Sequence, residues 1–352
     1  MPRHPRPLPR SLGDTFSVGH ARSAGVPLHR LRGKDLLPVF PGMRVRASAS
    51  GAGAHEPGDT TTSPWELARR DERRRASAFA TVMRPGMFFA GRTAAVLQGA
   101  PIDPGPRIVV GVFAPGRAAR RPGVRGVKLS PALASVRVQD GLPMTTPATT
   151  WAMLAGELTV RELVTLGDFF VRVPRDAKGR LQSDLRLATI GDLERAMCAG
   201  RRVGAGKLRE AIELIRVGSA SPLETEFRLD ATTAGLPEPE LDVEIRDEGG
   251  RLLGISEVVY RDQRVAVEIE GDHHRTDRAQ WHRDIEKYAA YAGIGWEVVR
   301  LTSSHIRGSR PRAVAIVGAA LRRRGWAPTV AAEPSGVTTR RNRAGDTACR
   351  DT

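Results

Sequence analysis

The chain has 352 residues, enough for two or three domains, with 40% apolar residues to build cores and only 5% aromatics. Its formal charge is +16, from 50 arginines and 5 lysines against 39 acids, which favours a polyanionic partner, nucleic acid first. No run approaches the ~18 apolar residues of a membrane span, and the basic N-terminus lacks the apolar core of a secretory signal. The two cysteines, Cys198 and Cys349, imply neither a disulfide framework nor a zinc site, so a cytoplasmic protein without membrane association is expected.

Residues 1–12 are rich in Pro and Arg and are expected to lack structure. From 13 to 46 the spacing of small and apolar residues predicts a helix-turn-helix, with Ala21 at the close approach, Gly25 in the turn and Leu31 packing back. A wing strand at Met43-Arg44-Val45 follows a Pro41-Gly42 turn. Residues 1–50 carry nine Arg or Lys against two Asp. In such a motif the second helix enters the major groove and its flanks touch phosphates, which makes Arg30, Arg32 and Lys34 candidate DNA contacts. A helical hairpin that only packs on the next domain is the alternative.

Residues 47–63 are small and polar and form a linker. Residues 64–218 predict a mixed α/β middle domain with helices at 65–82 and 160–173 and a strand at 107–113. Residues 219–327 predict a compact α/β unit, and 328–352 a disordered tail.

The C-terminal unit opens with Ser221-Pro-Leu-Glu224, a helix start with Pro at its first position and a stripe of Leu223, Phe227, Ala231 and Ala234. Ser-x-x-Glu is also a capping box, so Glu224 serves equally as a cap or as a site acid. Strands at 241–246, 252–260 and 264–270 follow. Val265, Val267 and Ile269 share one face of the last strand, and Glu268 and Glu270 the other. A symmetric turn at Asp262-Gln263 sets Glu257 directly opposite Glu268, with Cβ atoms about 5 Å apart. Two like charges so placed call for a cation between them, although Arg261 and Arg264 could also neutralise an exposed sheet face. After Gly271, His273 and His274 precede a helix from about 277 to 292, with a stripe of Trp281, Ile285, Tyr288 and Ala292 predicted to pack on the sheet. Arg278, His282 and Lys287 lie off that stripe, facing solvent or phosphate, and a strand follows from Trp296 to Leu301.

Ser221-Pro-Leu-Glu224-Thr, Gly235-Leu-Pro, Val265-Ala-Val-Glu268-Ile-Glu270-Gly271-Asp-His-His274-Arg275, the helix with Arg283-Asp284, and Gly295-Trp296-Glu-Val-Val-Arg300 together resemble the very-short-patch-repair (Vsr-like) endonucleases of the PD-(D/E)XK superfamily. Residues 10–240, through Arg92-Thr-Ala-Ala-Val-Leu-Gln-Gly99 and Gly141-Leu-Pro-Met-Thr-Thr-Pro-Ala-Thr-Thr-Trp151, resemble actinobacterial proteins that join an AbiEi-antitoxin-like winged helix to such a domain. The expected fold class is therefore α/β, or α+β overall. It comprises a restriction-endonuclease-like αβββαβ core, a small N-terminal winged helix-turn-helix and a mixed middle domain.

The resemblance implies Mg²⁺- or Mn²⁺-dependent hydrolysis of DNA. It assigns Glu268 and Glu257 as metal ligands, Glu257 standing where an Asp is usual, and Glu270 to the position of the motif lysine. His274 becomes a general acid or base and Glu224 a first-helix acid. Arg275, Arg278 and Lys287 are candidate DNA contacts. The rival expectation is a non-catalytic DNA-binding regulator or antitoxin on a retained nuclease-like fold, with a toxin–antitoxin or repair partner.

Overall fold

A computed structural model describes residues 6–47, 64–270 and 278–328, and the expected linker and C-terminal tail, with Cys349, lie outside the described residues. The fold is α+β and packs as two units, Met1–Thr159 with Arg202–Leu208, and Val160–Arg201 with Arg209–Thr352. Among the described residues no helix is long and apolar enough to cross a membrane.

The first unit begins with β1 (Thr15–Ser17), α1 (Val18–Ser23), β2 (Leu36–Pro38) and β3 (Met43–Arg46), the strands forming a sheet of order β1-β3-β2. Ala21 and Leu31 are buried and Gly25 turns at φ +79°, as the spacing predicts. The second helix differs from expectation, because residues 26–32 make turns and a single 3₁₀ turn at Arg30–Arg32. Gly25 and Gly33 bracket only seven residues and Pro27 interrupts them, which leaves no room for a multi-turn α-helix.

The rest of this unit is α2 (Pro64–Ala80), β4 (Met87–Phe89), α3 (Gly91–Leu97), β5 (Ile108–Phe113), β6 (Arg120–Arg121), β7 (Val124–Leu129), β8 (Val136–Gln139), β9 (Leu142–Thr145) and α4 (Pro147–Leu154). Its six strands run β6-β7-β5-β4-β9-β8. The fully buried Glu72 of α2 is satisfied by the Thr93 hydroxyl at 2.5 Å and the Arg75 guanidinium at 2.6 Å. That network ties α2 to α3, as a buried charge requires.

The second unit holds α5 (Val160–Val171), α6 (Ile190–Cys198) and the end of α7 (Ala205–Leu214), then α8 (Pro222–Thr233), β10 (Glu240–Arg246), β11 (Leu252–Tyr260), β12 (Val265–Glu270), α9 (Arg278–Gly293), β13 (Glu297–Thr302), α10 (Ser303–Arg307) and α11 (Ala313–Arg323). The sheet runs β10-β11-β12-β13, its first two pairings antiparallel and the last parallel. One face packs Val258, Val265, Val267 and Ile269 against Phe227 and Ala231 of α8 and Val317 of α11. The other packs Val243, Ile245, Val259 and Ala266 against Tyr291 of α9.

The sequence groups α5 with the middle region, but packing places it in this second unit. The reason is an ion pair between Asp168 and Arg228 at 2.8 Å, each 1% exposed. Asp168 also accepts from the Thr225 hydroxyl and the Arg216 amide, both at 2.8 Å. Removing one partner of such a pair strands the other charge in the core. Arg228→Met should therefore cost about 3–5 kcal/mol of unfolding free energy in urea. Asp168→Asn combined with Arg228→Met should recover most of that loss, since the Asn oxygen still accepts from the Arg216 amide and its NH2 can donate to the Thr225 hydroxyl. Equal destabilisation of the single and double variants would contradict this account.

Candidate active site

The β11–β12 hairpin closes in the predicted register, with Val258 opposite Val267, Val259 opposite Ala266 and Tyr260 opposite Val265. Extended unchanged, it would bring Glu257 opposite Glu268 on one face. The alternation breaks at Glu257 instead. Ser256 faces Glu268 and donates its hydroxyl to Oε1 at 2.7 Å, lying 3.2 Å from the Tyr291 hydroxyl. The Glu257 carboxylate accepts from the Ile269 amide at 2.7 Å.

The neighbouring strand shows the cause. Pairing of β10 with β11 passes from Leu241–Val258 to Val243–Ser256, and between them Asp242 holds φ +53°. Leu241 then packs on the α8 side and Val243 on the α9 side. Arg175 clamps Asp242 through two carboxylate contacts at 2.7 and 2.9 Å and one to its carbonyl at 2.9 Å. Those charge-assisted bonds hold a backbone conformation that a non-glycine residue otherwise resists.

Glu268 is 7% exposed and carries its partner with it. Lys287 of α9 donates to both carboxylate oxygens at 2.8 Å and to the Ile255 carbonyl at 2.6 Å. An ammonium has three protons, so these bonds use all of them. Gly254 makes the approach possible: a Cβ there would lie 2.7 Å from the Tyr291 hydroxyl and 3.0 Å from Cγ of Lys287.

The phase of α9 differs from expectation for the same reason. Tyr291 is fully buried whereas Ile285 is 46% exposed, and Ala292 is exposed as well. The helix is turned so that the Lys287–Tyr291 line, rather than Ile285 and Ala292, meets the sheet.

Glu224 sits at the start of α8, 2% exposed. The Ser221 hydroxyl caps its amide at 3.3 Å, and its own carboxylate accepts from the Ala220 amide at 2.7 Å, one residue before the cap. Burial pushes its carboxyl above the ordinary value, and the charge of Asp242 adds to that. Glu257 is pushed up to about 8, first by burial and then by the charge of Glu224, with Glu268 a weaker neighbour. Glu257 is thus electrostatically paired with Glu224 more than with Glu268. The resulting site has an ionic half, Glu268 with Lys287, and a proton-holding half, Glu224 with Glu257.

The remaining predicted residues fall into three groups. Glu270 is paired with Arg300, whose Nε lies 2.6 Å from its carboxylate, and Lys287 points at Glu268 rather than outward to phosphate. Arg30 is 8% exposed and not on the surface as a DNA contact requires. Its guanidinium forks onto Asp35 at 2.9 and 2.6 Å and caps the Arg6 carbonyl at 2.6 Å, because its turn buries it where a helix would have displayed it. Arg32 and Lys34 are exposed. His273, His274 and Arg275 lie outside the described residues, as do the side chains of Arg278, Trp281 and His282.

Sequence reasoning missed Ser256, Asp242 and Arg175. A hydroxyl two residues before the hairpin's apolar end was the one available signal. An off-pattern positive φ leaves none in a single sequence.

No family model matches the chain. Over 169 residues it is 29% identical to the uncharacterized proteins MT2308 (strain CDC 1551 / Oshkosh) and Rv2248 (strain ATCC 25618 / H37Rv) of Mycobacterium tuberculosis, a match that takes in 48% of this chain. The chain spans 58% of the length of these curated relatives.

The acid pair makes stability fall with pH. Glu257 releases its proton near pH 8 when folded, against an ordinary 4.5, so between those values the folded chain holds a proton that the unfolded chain has lost. Its contribution is most favourable at and below about pH 4.5 and is lost as pH rises through about 8. Glu257→Gln keeps an acceptor for the Ile269 amide and removes the titration. Its Tm should exceed that of the wild type at pH 8 and converge with it near pH 5. Parallel Tm–pH curves for the two proteins would rule out this protonation.

Proposed function

We propose that the chain is a metal-dependent DNA endonuclease whose chemistry lies in the second unit. The observation that carries the reading is the hairpin of β11 and β12, where Glu268, Lys287, Glu257 and Glu224 converge from a strand, a helix, a second strand and a helix start. The order α8-β10-β11-β12-α9-β13, two antiparallel pairings followed by a parallel one, supports a restriction-endonuclease-like core of the PD-(D/E)XK type.

Mg²⁺ is held by one or two carboxylates together with substrate phosphates and water. That need is smaller than the three-residue cluster that the described residues lack. The donor set fits, because Glu224 and Glu257 are neighbouring acids that burial and each other's charge incline to keep a proton, and a divalent cation would supply the positive charge in its place. Glu257 and Glu224 would hold the ion, whereas Glu268, which the sequence pairs with Glu257 as a ligand, stays on the other face with Lys287 and would support the site from behind. When bound, it supplies an acidified water and positive charge against the phosphate.

Lys287 keeps Glu268 oriented through both carboxylate oxygens. On metal entry Glu257 and Glu224 would give up the proton that burial lets them keep, and it would pass to solvent. Beyond the described residues, His274 carries the proton between water and leaving group, with Arg275 and Arg278 on the phosphates. Arg32 and Lys34 of the first unit hold DNA through its backbone.

The second reading is a non-catalytic DNA-binding regulator or antitoxin, in which Lys287 permanently fills the place of the metal. The bonds from Lys287 to both oxygens of Glu268 favour it.

Nicking of supercoiled plasmid in millimolar Mg²⁺ or Mn²⁺ separates the two. The nuclease reading expects cleavage that drops about a hundredfold or more in Glu268→Ala. It also expects Mg²⁺ to raise the wild-type Tm at pH 8 and to leave Glu257→Gln unmoved. Equal nicking by wild type and Glu268→Ala, or no metal-dependent nicking at all, would sink it.

A further inference from the structure

The first unit contains a cleft of about 620 Å³ whose rim carries Arg84, Arg117, Arg120, Arg121 and Lys128. Its lining includes no Asp or Glu and no Asn, Gln, Ser or Thr. Arg84, Arg117, Arg120 and Lys128 are exposed, and among the described residues none of the five cations has a carboxylate partner. Arg121 spends one N–H on the Pro41 carbonyl at 3.2 Å.

Elsewhere in the same unit arginines do find acids. Arg75 holds Glu72 at 2.6 Å, Arg30 holds Asp35 at 2.6 Å, and Arg92 and Arg125 share Glu157. Five cations gathered around one concavity with no counter-charge repel one another, a cost that an incoming polyanion removes. The cleft differs from those paired arginines in gathering its cations around one concavity without a carboxylate.

The chemistry of the lining selects the ligand. Without a carboxylate it cannot hold a divalent cation. Its polar side chains are cationic donors only: an arginine can pair with a guanine edge, but no side chain there accepts from adenine or cytosine, so the phosphates present at every step are the groups that all five cations can meet. Val82 and Met87 give it an apolar floor. The Arg121–Pro41 bond sets the β2–β3 turn at its edge.

We propose that this cleft seats the phosphodiester backbone of nucleic acid, independently of base sequence. The inference extends the DNA partner of the proposed function to a site in the first unit. It rests on that reading for the identity of the polyanion but not for the cleavage chemistry.

The test uses the full chain and a fluorescent 20-base-pair duplex of scrambled sequence, with anisotropy titrations from 50 to 200 mM KCl. The triple variant Arg117→Ala, Arg120→Ala, Lys128→Ala changes exposed side chains only. It should bind more weakly, with the log–log salt slope reduced by about one for each phosphate no longer neutralised, up to about three. The double variant Arg117→Lys, Arg120→Lys keeps the charge and should retain binding close to wild type. A second scrambled duplex should behave as the first.

Unchanged affinity and slope in the triple variant would overturn the proposal. So would loss of binding to phosphatidylglycerol vesicles with duplex binding intact, which would assign the cleft to a membrane surface. Glu268→Ala keeps the two ideas apart: duplex binding without nicking in that variant leaves the cleft standing, whereas nicking with an inert cleft leaves only the nuclease.

Discussion

A carboxylate taken out of water must find a positive charge or keep its proton, and the second unit is organised around that constraint. Three acids converge on the β11–β12 hairpin, Glu224 and Glu268 buried and Glu257 partly so. Among the described residues a single ammonium, Lys287, serves them. It commits itself to Glu268, using both carboxylate oxygens. Glu224 and Glu257 are left to hold protons beyond the ordinary carboxylate range. The division of one acid cluster into an ionic and a neutral half follows from the supply of one cation.

That division reaches into the surrounding elements. Lys287 can approach only because Gly254 offers no side chain, and its commitment fixes the rotation of α9, so Tyr291 goes inward and Ile285 stays in solvent. Glu257 leaves the face of Glu268 because β11 and β10 lose alternation together, at Glu257 and at Asp242, where Arg175 stabilises a positive φ. Glu224 keeps its place because α8 is fastened to α5 through Asp168 and Arg228. Each of these is a polar or conformational exception to an otherwise regular sheet-and-helix packing. Such exceptions gather where a fold accommodates charge.

The first unit manages the chain's basic excess in two ways. Some arginines are consumed internally, as in the fork onto Asp35 and the bond onto Glu72. Others stay unneutralised, in the cleft bounded by β6, β7 and the end of α2 and on the exposed Arg32 and Lys34. Composition alone makes no such distinction, since every arginine contributes the same to a net charge of +16. Arg30 is the instructive case: sequence spacing put it on a recognition helix, and a short 3₁₀ turn put it in the core.

What was legible in the sequence is local. The element order of the second unit, the strand faces of Val265, Val267 and Ile269, the hairpin register and the Ser221 cap all follow from periods of two and 3.6 residues and from turn chemistry. These patterns are written within a few residues of where they act. Tertiary structure alone decided which acids incline to keep a proton, which acid Lys287 neutralises, how α9 is rotated and which arginines remain unpaired. Those outcomes depend on contacts between segments far apart in the chain, such as Arg175 with Asp242 and Lys287 with Glu268, and on a backbone irregularity that no hydrophobic period records.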